Sequence, residues 1–480
     1  MISRIMLRST VGLGAFLMMS TSLATAAHAG TATMALLTRL HDKGILSDDD
    51  YKQLVAEEQQ EQAAPPAPAA APAPVATTAT SSGLDLGNYV KMTKTGIGFD
   101  VGSASITFGG SVNGYFVHDS PDKASANTAV AGGIASVGGN NTSAVRNGLL
   151  PGYFTISVKT KQAGWDVGAF FGMYPGINSA NWGALGANNG GQPTALATAG
   201  IDARQTFLTF GKPTVGTFKI GRDIGLFGSD AILNDITLLG SGAPGAGNAA
   251  PANTTLGRIG SGYIYTDFQP QMTYTTPAFS GAQLAVGVFQ PLESLTGPAQ
   301  TNSTPGFQAK LTYDTKVEGV GAHLWLSGIT QKHDVTVVHD VSYTGRGLDA
   351  GAKVTAGPVQ VVGYWYTGKG LGTTVFGLFD TDASGNPRSS HGFYIQALGT
   401  LGKFSLGGSY GESDLSYANA ADALANPTLV KRNSSWVGQG RYALTPWVTL
   451  IGEYIHSDAK AHNGNDAKSN ALALGGILFF

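Results

Sequence analysis

Three observations predict an all-β, transmembrane fold. From residue 97 onward apolar and polar residues alternate with a period of two, as strands with one face on lipid and one on water require. The connections alternate between short turns and long loops. After residue 30 no apolar stretch reaches the ~18 residues a membrane-crossing helix needs, so any span is β. The expectation is a closed antiparallel barrel of sixteen strands, with eighteen as the alternative count.

Composition agrees. Gly fills 68 of 480 positions, about twice its usual share of roughly 7%, and charged residues are 12% against a usual ~25%. Mean hydropathy is near zero, so neither figure comes from apolar helices. Cys is absent, which removes disulfides and thiolate metal sites. The net charge of −2 and the lack of a long basic patch argue against a nucleic-acid partner.

The N-terminus reads as an export signal. Arg4 and Arg8 precede the short apolar run Val11 to Met19, and Ala27-His28-Ala29 makes a small-residue cleavage site before Gly30. An uncleaved anchor is the alternative, but the run is short for one. Without residues 1–29 the mature chain carries 27 basic and 31 acidic residues, a charge of −4. Residues 30–62 then suit two short helices, Met34 to Leu40 and a second entered at Ser47-Asp48-Asp49-Asp50. So small a unit cannot bury a stable core alone, which points to a periplasmic oligomerisation unit or to a solvated spacer. The Ala/Pro-rich stretch 63–81 favours extended polyproline II and opens a linker to residue 96.

The barrel, 97–480, follows. Ile106, Phe108, Val112 and Phe116 alternate with Thr107, Ser111 and Asn113; Phe154, Ile156 and Val158 with Thr155, Ser157 and Lys159. Phe307, Ala309, Leu311 and Tyr313 alternate with Gln308, Lys310 and Thr312, and the same holds for 350–356. Short turns are predicted near 161–164, 211–216, 277–281, 315–318, 356–358, 400–402 and 444–446. Long connections are predicted at 118–150, 175–202, 224–258, 291–304, 331–343, 368–390, 414–432 and 457–467. One-sided long loops mark a bacterial outer-membrane barrel with its short turns in the periplasm. Tyr153, Trp165, Trp436, Tyr442, Trp447 and Tyr454, near strand ends, suit outward interfacial girdles.

The stretch Val215 to Asp223 begins as a strand and breaks into a segment reaching about Leu256. Gly228 to Asp235, with Ser229 as N-cap, suits a helical turn within it. Loops longer than about 12–15 residues inside a compact domain are usually functional, so this one is expected to fold inward and narrow the lumen.

Three places carry a family resemblance: Gly216-Thr217-Phe218-Lys219-Ile220-Gly221-Arg222-Asp223, the turn Tyr274-Thr275-Thr276-Pro277-Ala278-Phe279-Ser280-Gly281, and Tyr442 to Ser457 with the final strand Leu472 to Phe480. Together they resemble the trimeric porins of Gram-negative bacteria over roughly 100–480. The short helical unit "LLTRLHDKGILSDDDYKQLVAEEQ" resembles SHOCT-like hairpins, and with its linker it resembles the coiled-coil extension of dicarboxylate-type porins. The resemblance implies a homotrimer in the outer membrane, contact with its lipid and lipopolysaccharide, assembly through the terminal Phe480, and passage of small hydrophilic solutes and ions. Two other readings stand beside it: an anion-selective porin for dicarboxylate or phosphate, and a non-conducting structural or adhesive barrel.

Porins filter at a narrow ring of opposed charges. Arg222 is the basic candidate by motif, although strict alternation turns it outward unless a bulge re-aims it. Arg258 at the segment's return is second; Lys310, Lys353 and Arg441 fall on the inward parity of their strands. Asp230 and Asp235 are the acidic candidates on the segment and Glu453 the one on a strand. No enzyme, cofactor or metal site is expected. Gly407-Gly408-Ser409-Tyr410-Gly411 matches G-x-S-x-G but lies in an alternating strand, and the nine His show no ligand spacing.

Overall fold

The computed structural model describes residues 97–179, 200–245, 253–336 and 341–480, with Lys52, Val55 and the backbone of Val90–Met92. The chain divides into two units, 1–83 and 84–480. The expected signal peptide and paired helices lie outside the described residues, apart from Lys52 and Val55, which are helical. The linker expected over 63–96 lies outside them apart from Val90–Met92, which depart from it as a short strand pairing antiparallel with Phe99–Val101, because Val90 and Met92 continue the period of two.

The second unit is built on sixteen long strands: β1 Ala104–Lys123, β2 Tyr153–Gln162, β3 Trp165–Pro175, β4 Ile201–Lys212, β5 Gly216–Ile224, β6 Phe268–Thr275, β7 Ala282–Phe289 and β8 Gly306–Val317. β9 Val320–Asp334, β10 Ser342–Ala356, β11 Val359–Lys369, β12 Ser389–Leu401, β13 Phe404–Ser416, β14 Val430–Ala443, β15 Val448–Ala461 and β16 Asp466–Phe479 complete them. Each pairs antiparallel with the next, and β16 returns to β1, from Ser469↔Pro121 to Phe479↔Ser111, closing the barrel. The last residue seals this seam: Phe480 and Gly110 exchange backbone hydrogen bonds of 3.0 and 3.1 Å. Closure leaves no barrel-strand edge to bare its N–H and C=O groups to hydrocarbon, where each would cost several kcal/mol.

Alternation sets the two faces. On β8, Phe307 and Leu311 are each 46% exposed, whereas Gln308 between them is buried. The outward row is apolar because it meets lipid; the inward rows mix Gly, Ser, Thr and amides with aromatics such as Trp325, Tyr364 and Tyr394. Outward aromatics gather at both ends. Trp165, Phe210, Phe218 and Tyr274 follow one another at centroid distances of 6.1, 5.1 and 4.9 Å on the short-turn side. Phe393 and Tyr410 are 6.2 Å apart and Trp436 and Tyr454 5.2 Å on the long-loop side. Tyr153 departs from its expected place: it shares the inward parity of β2 and packs against Tyr174 at 6.0 Å.

All seven short turns lie where the sequence places them. Two need glycine. A Cβ at Gly216 (φ +99°) would meet the Thr275 carbonyl at 2.4 Å, and one at Gly281 (φ +90°) the Asp314 carbonyl at 2.2 Å. On the opposite side one expectation is corrected. The connection predicted at 457–467 is the tight turn 462–465, because β15 and β16 extend and carry charged rungs, such as Asp458 opposite Lys468, beyond the apolar belt. Charge density there imitates a loop in sequence.

Candidate functional site

The chain between β5 and β6 holds two short pieces of helix. α1, Ser229–Leu233, starts after Gly228, whose φ of +75° turns the chain in; a 3-10 turn, Ile236–Leu239, follows. Gly228, not Ser229, is the N-cap. Ser229 instead donates to the Leu226 carbonyl at 2.9 Å. Asp235 caps the 3-10 turn by accepting from the Thr237 backbone N–H at 2.9 Å.

What holds this segment is a succession of inward polar side chains on the strands. Gln308 of β8 accepts from the Leu226 and Phe227 N–H groups at 2.8 and 3.0 Å. Asp349 of β10 accepts from Gly228 N–H at 2.7 Å and is itself held by Ser327 at 2.6 Å. Tyr394 and Gln396 of β12 donate to the Ala231 and Asn234 carbonyls at 2.8 and 2.6 Å. Gln439 and Arg441 of β14 both donate to the Ile236 carbonyl, at 3.0 and 2.8 Å. Glu453 of β15 accepts from the Ser241 and Gly242 N–H groups at 2.7 and 2.9 Å and from Gln439 at 2.6 Å. Beyond the closing seam, the Tyr115 hydroxyl of β1 donates to the Leu239 carbonyl. Under α1 an aromatic and aliphatic cluster packs the segment to β9, β11 and β12, with Phe227, Tyr263, Trp325, Tyr364, Tyr366 and Tyr394 at its centre.

The predicted site residues separate into three groups. Lys310 and Asp230 meet at 2.7 Å, and Asp230 is also 3.2 Å from His323. Asp235, Arg258 and Glu453 are fully buried struts: Asp235 accepts from Tyr263 at 2.8 Å, and Arg258 donates to the Ser435 carbonyl at 2.9 Å. Lys353 and Arg441 sit on the inward parity, half-buried, and form no ion pair among the described residues. Arg222 is not brought to any of them. Its register to Thr206 and to Pro270 is unbroken, no bulge re-aims it, and it is exposed on the outward row with Ile220.

The wall from β2 to β5 has another character. Phe170 and Phe207, both inward and half-buried, stack at 5.1 Å, and the Lys219 ammonium lies 5.2 Å from the Phe207 ring while pairing with Asp223. Lys159 is inward, exposed and without an ion pair among the described residues. Sequence reasoning passed over Gln308, Asp349, Gln396 and Gln439, the residues that carry most of the segment. Their signal was a large amide or acid side chain at an inward position.

At the long-loop mouth the connections are locked by charge. Arg388 and Asp422 form a buried bidentate pair at 2.7 and 2.6 Å. Burial raises the Asp422 carboxyl, but Arg388, the Ala418 N–H and the Asn426 amide outweigh it and hold the group at about 2. Asp380 goes the other way, pushed up by burial although Ser294 and Tyr343 donate to it.

Residues 67–476 match the family described as Gram-negative porin. No curated protein matches the chain. Among solved structures, the outer membrane channel DcaP of Acinetobacter baumannii is 15% identical with a TM-score of 0.60, covering 82% of this chain and 100% of that one. The anion-selective porin from Comamonas acidovorans is 13% identical with a TM-score of 0.51, covering 78% and 100%. Identity this low shows a shared fold only. The closed sixteen-stranded barrel and the family match over most of the chain agree, and the chain belongs to the Gram-negative porins, as an outer-membrane channel protein.

Proposed function

We propose that the protein is a water-filled channel for passive diffusion of small hydrophilic solutes and ions, narrowed by the inward-folded segment between β5 and β6, with a preference for anions. The observation that carries the constriction is the set of hydrogen bonds from that segment to inward side chains on β8, β10, β12, β14, β15 and β1. A surface loop would have solvent for these partners; bonding to inward side chains on six strands supports an inward fold. The anion preference rests on the inward cations Lys159, Lys353 and Arg441, which no carboxylate pairs among the described residues. Inward Gly, Ser and Thr away from the aromatic cluster support a water-filled lumen over a plugged structural barrel, and the reading includes no catalytic step.

Homotrimeric assembly, a periplasmic oligomerisation role for residues 30–62 and recognition of Phe480 by the barrel-assembly machinery belong to the same proposal. They rest on the family and on the sequence pattern of those segments.

Single-channel conductance of the mature protein in planar bilayers, with the reversal potential under a salt gradient, tests the reading. Steps in threes with an anion-directed reversal potential are expected. A folded barrel that gives no steps would return the structural reading, and a cation-directed potential would remove the anion preference.

A further inference from the structure

On the outward face, at the long-loop end of β10 and β11, two cations stand directly opposite each other. Arg346 is the register partner of Lys369. Both are exposed and lie on the lipid-facing parity of their strands, with Leu348 and Thr367 respectively as the next outward neighbours. Like charges directly opposite in an antiparallel pair are destabilising, so the arrangement needs an anion from elsewhere. The chain supplies none here: among the described residues neither side chain has an acidic partner, whereas Lys332 on the neighbouring β9 has Asp334 at 2.8 Å. Exposed hydroxyls flank the pair, Thr344 on β10 and Thr367 on β11. Toward the membrane centre the same outward rows turn apolar within one or two steps, with Leu348 45% and Trp365 44% exposed.

We propose that Arg346 and Lys369 form a binding site for the phosphate of a multiply acylated lipid of the outer leaflet, whose acyl chains lie over Leu348 and Trp365. The chemistry selects such a ligand on two counts. A guanidinium beside an ammonium, with hydroxyls around them, matches a phosphate monoester, since Arg presents a planar fork to two oxygens and Lys a point charge. The adjoining apolar row needs hydrocarbon, which a free phosphate lacks. At this height the side chains extend to the headgroup layer with their stems along the apolar surface. The site lies on the face opposite the lumen and does not depend on the channel reading.

The experiment is native mass spectrometry of the full mature protein titrated with diphosphoryl lipid A. The same lipid with its phosphates removed and inorganic phosphate alone serve as separate arms. The variant is Arg346→Thr/Lys369→Thr, since threonine already occupies neighbouring outward positions and suits strands; Lys369→Thr alone is the second variant should the double one fail to fold. Wild type is expected to hold diphosphoryl lipid A at least about tenfold more tightly than the double variant, as two charge-assisted contacts imply, with the single variant between them. Conductance in bilayers free of lipid A should be the same in all three. Equal affinity of wild type and variants for diphosphoryl lipid A overturns the proposal, as does undiminished binding of the dephosphorylated lipid. Inorganic phosphate binding as tightly as the lipid removes the lipid as the source. A variant that keeps its lipid but loses its oligomeric state assigns the two cations to an interface between copies instead.

Discussion

The two sides of the lumen use their charges differently. From β8 to β15 the inward polar side chains are spent on the segment: Gln308, Asp349, Gln396, Gln439 and Glu453 satisfy its backbone, and Lys310 neutralises Asp230 on α1. From β2 to β5, Lys159 stays unpaired among the described residues and Phe170 and Phe207 stay half-exposed. Paired charges on the first wall therefore hold the segment, and on the proposed reading the unpaired cations, Lys159 on the second wall and Lys353 and Arg441 on the first, set which ions pass. Substitutions on the two walls should separate pore width from selectivity.

The largest effect is expected at the anchoring wall. Glu453→Ala removes a buried carboxylate that two backbone N–H groups and an amide address, and costs the segment about 3 kcal/mol or more of anchoring. Conductance steps should become larger and noisier, and the segment between β5 and β6 more open to protease. Steps identical to wild type would mean that the segment does not set the pore width.

Next comes the mouth, where the comparison gains an outside reference. Asp422→Asn leaves Arg388 buried without its counter-charge, at a local cost of about 3 kcal/mol, while touching neither wall. The connections 370–388 and 417–429 should be cleaved faster by protease at pH 7, with conductance unchanged. In wild type the same loosening follows pH. The folded carboxyl is held at about 2, below its ordinary value, so the pair's contribution is complete above about pH 4 and fades as pH falls toward 2. Proteolysis of wild type that accelerates already at pH 6 would contradict this.

A smaller, purely electrostatic effect belongs to the open wall. Lys159→Glu reverses an unpaired inward charge, and the anion-to-cation permeability ratio should fall by about threefold or more at low salt. Neutralising both members of the opposed pair, Asp230→Asn with Lys310→Met, should leave the reversal potential nearly where it was, because their charges already cancel at 2.7 Å. The reverse outcome would exchange the roles of the two walls.

How much of this the sequence discloses follows from what each feature depends on. Strand count, inward parity and the seven short turns are local: a period of two and a turn glycine need no knowledge of neighbours, so Lys310, Lys353, Arg441 and Glu453 were placed on the inward row from alternation alone. Partnership is not local. Nothing near Glu453 in sequence reveals that the N–H groups of Ser241 and Gly242 fill its carboxylate, and nothing near Arg258 reveals that it props the segment from beneath. The turn at 462–465 is hidden because Asp458, Lys460, Asp466 and Lys468 look like loop composition, although opposite charges face each other across the rungs and pair along each strand, Lys460 with Asp458 and Lys468 with Asp466. Tyr153 was misplaced because an aromatic near a strand end suits a girdle and an inward cluster equally.

The smallest effect is expected at Arg222, where motif and geometry disagree. Arg222 stands in the stretch that most resembles a porin constriction strand, yet its register through Thr206 and Pro270 is regular and its side chain shares the outward row with Ile220. An Arg there avoids the penalty of facing hydrocarbon only because β5 ends two residues later, near the polar boundary, where that cost falls to about 0–1 kcal/mol. Arg222→Ala should therefore leave conductance and reversal potential unchanged, while Lys159→Glu in the same bilayers shifts the second. A selectivity change in Arg222→Ala would show that the side chain reaches the lumen in the working channel, and the regular register at β5 would then have to break when the pore conducts.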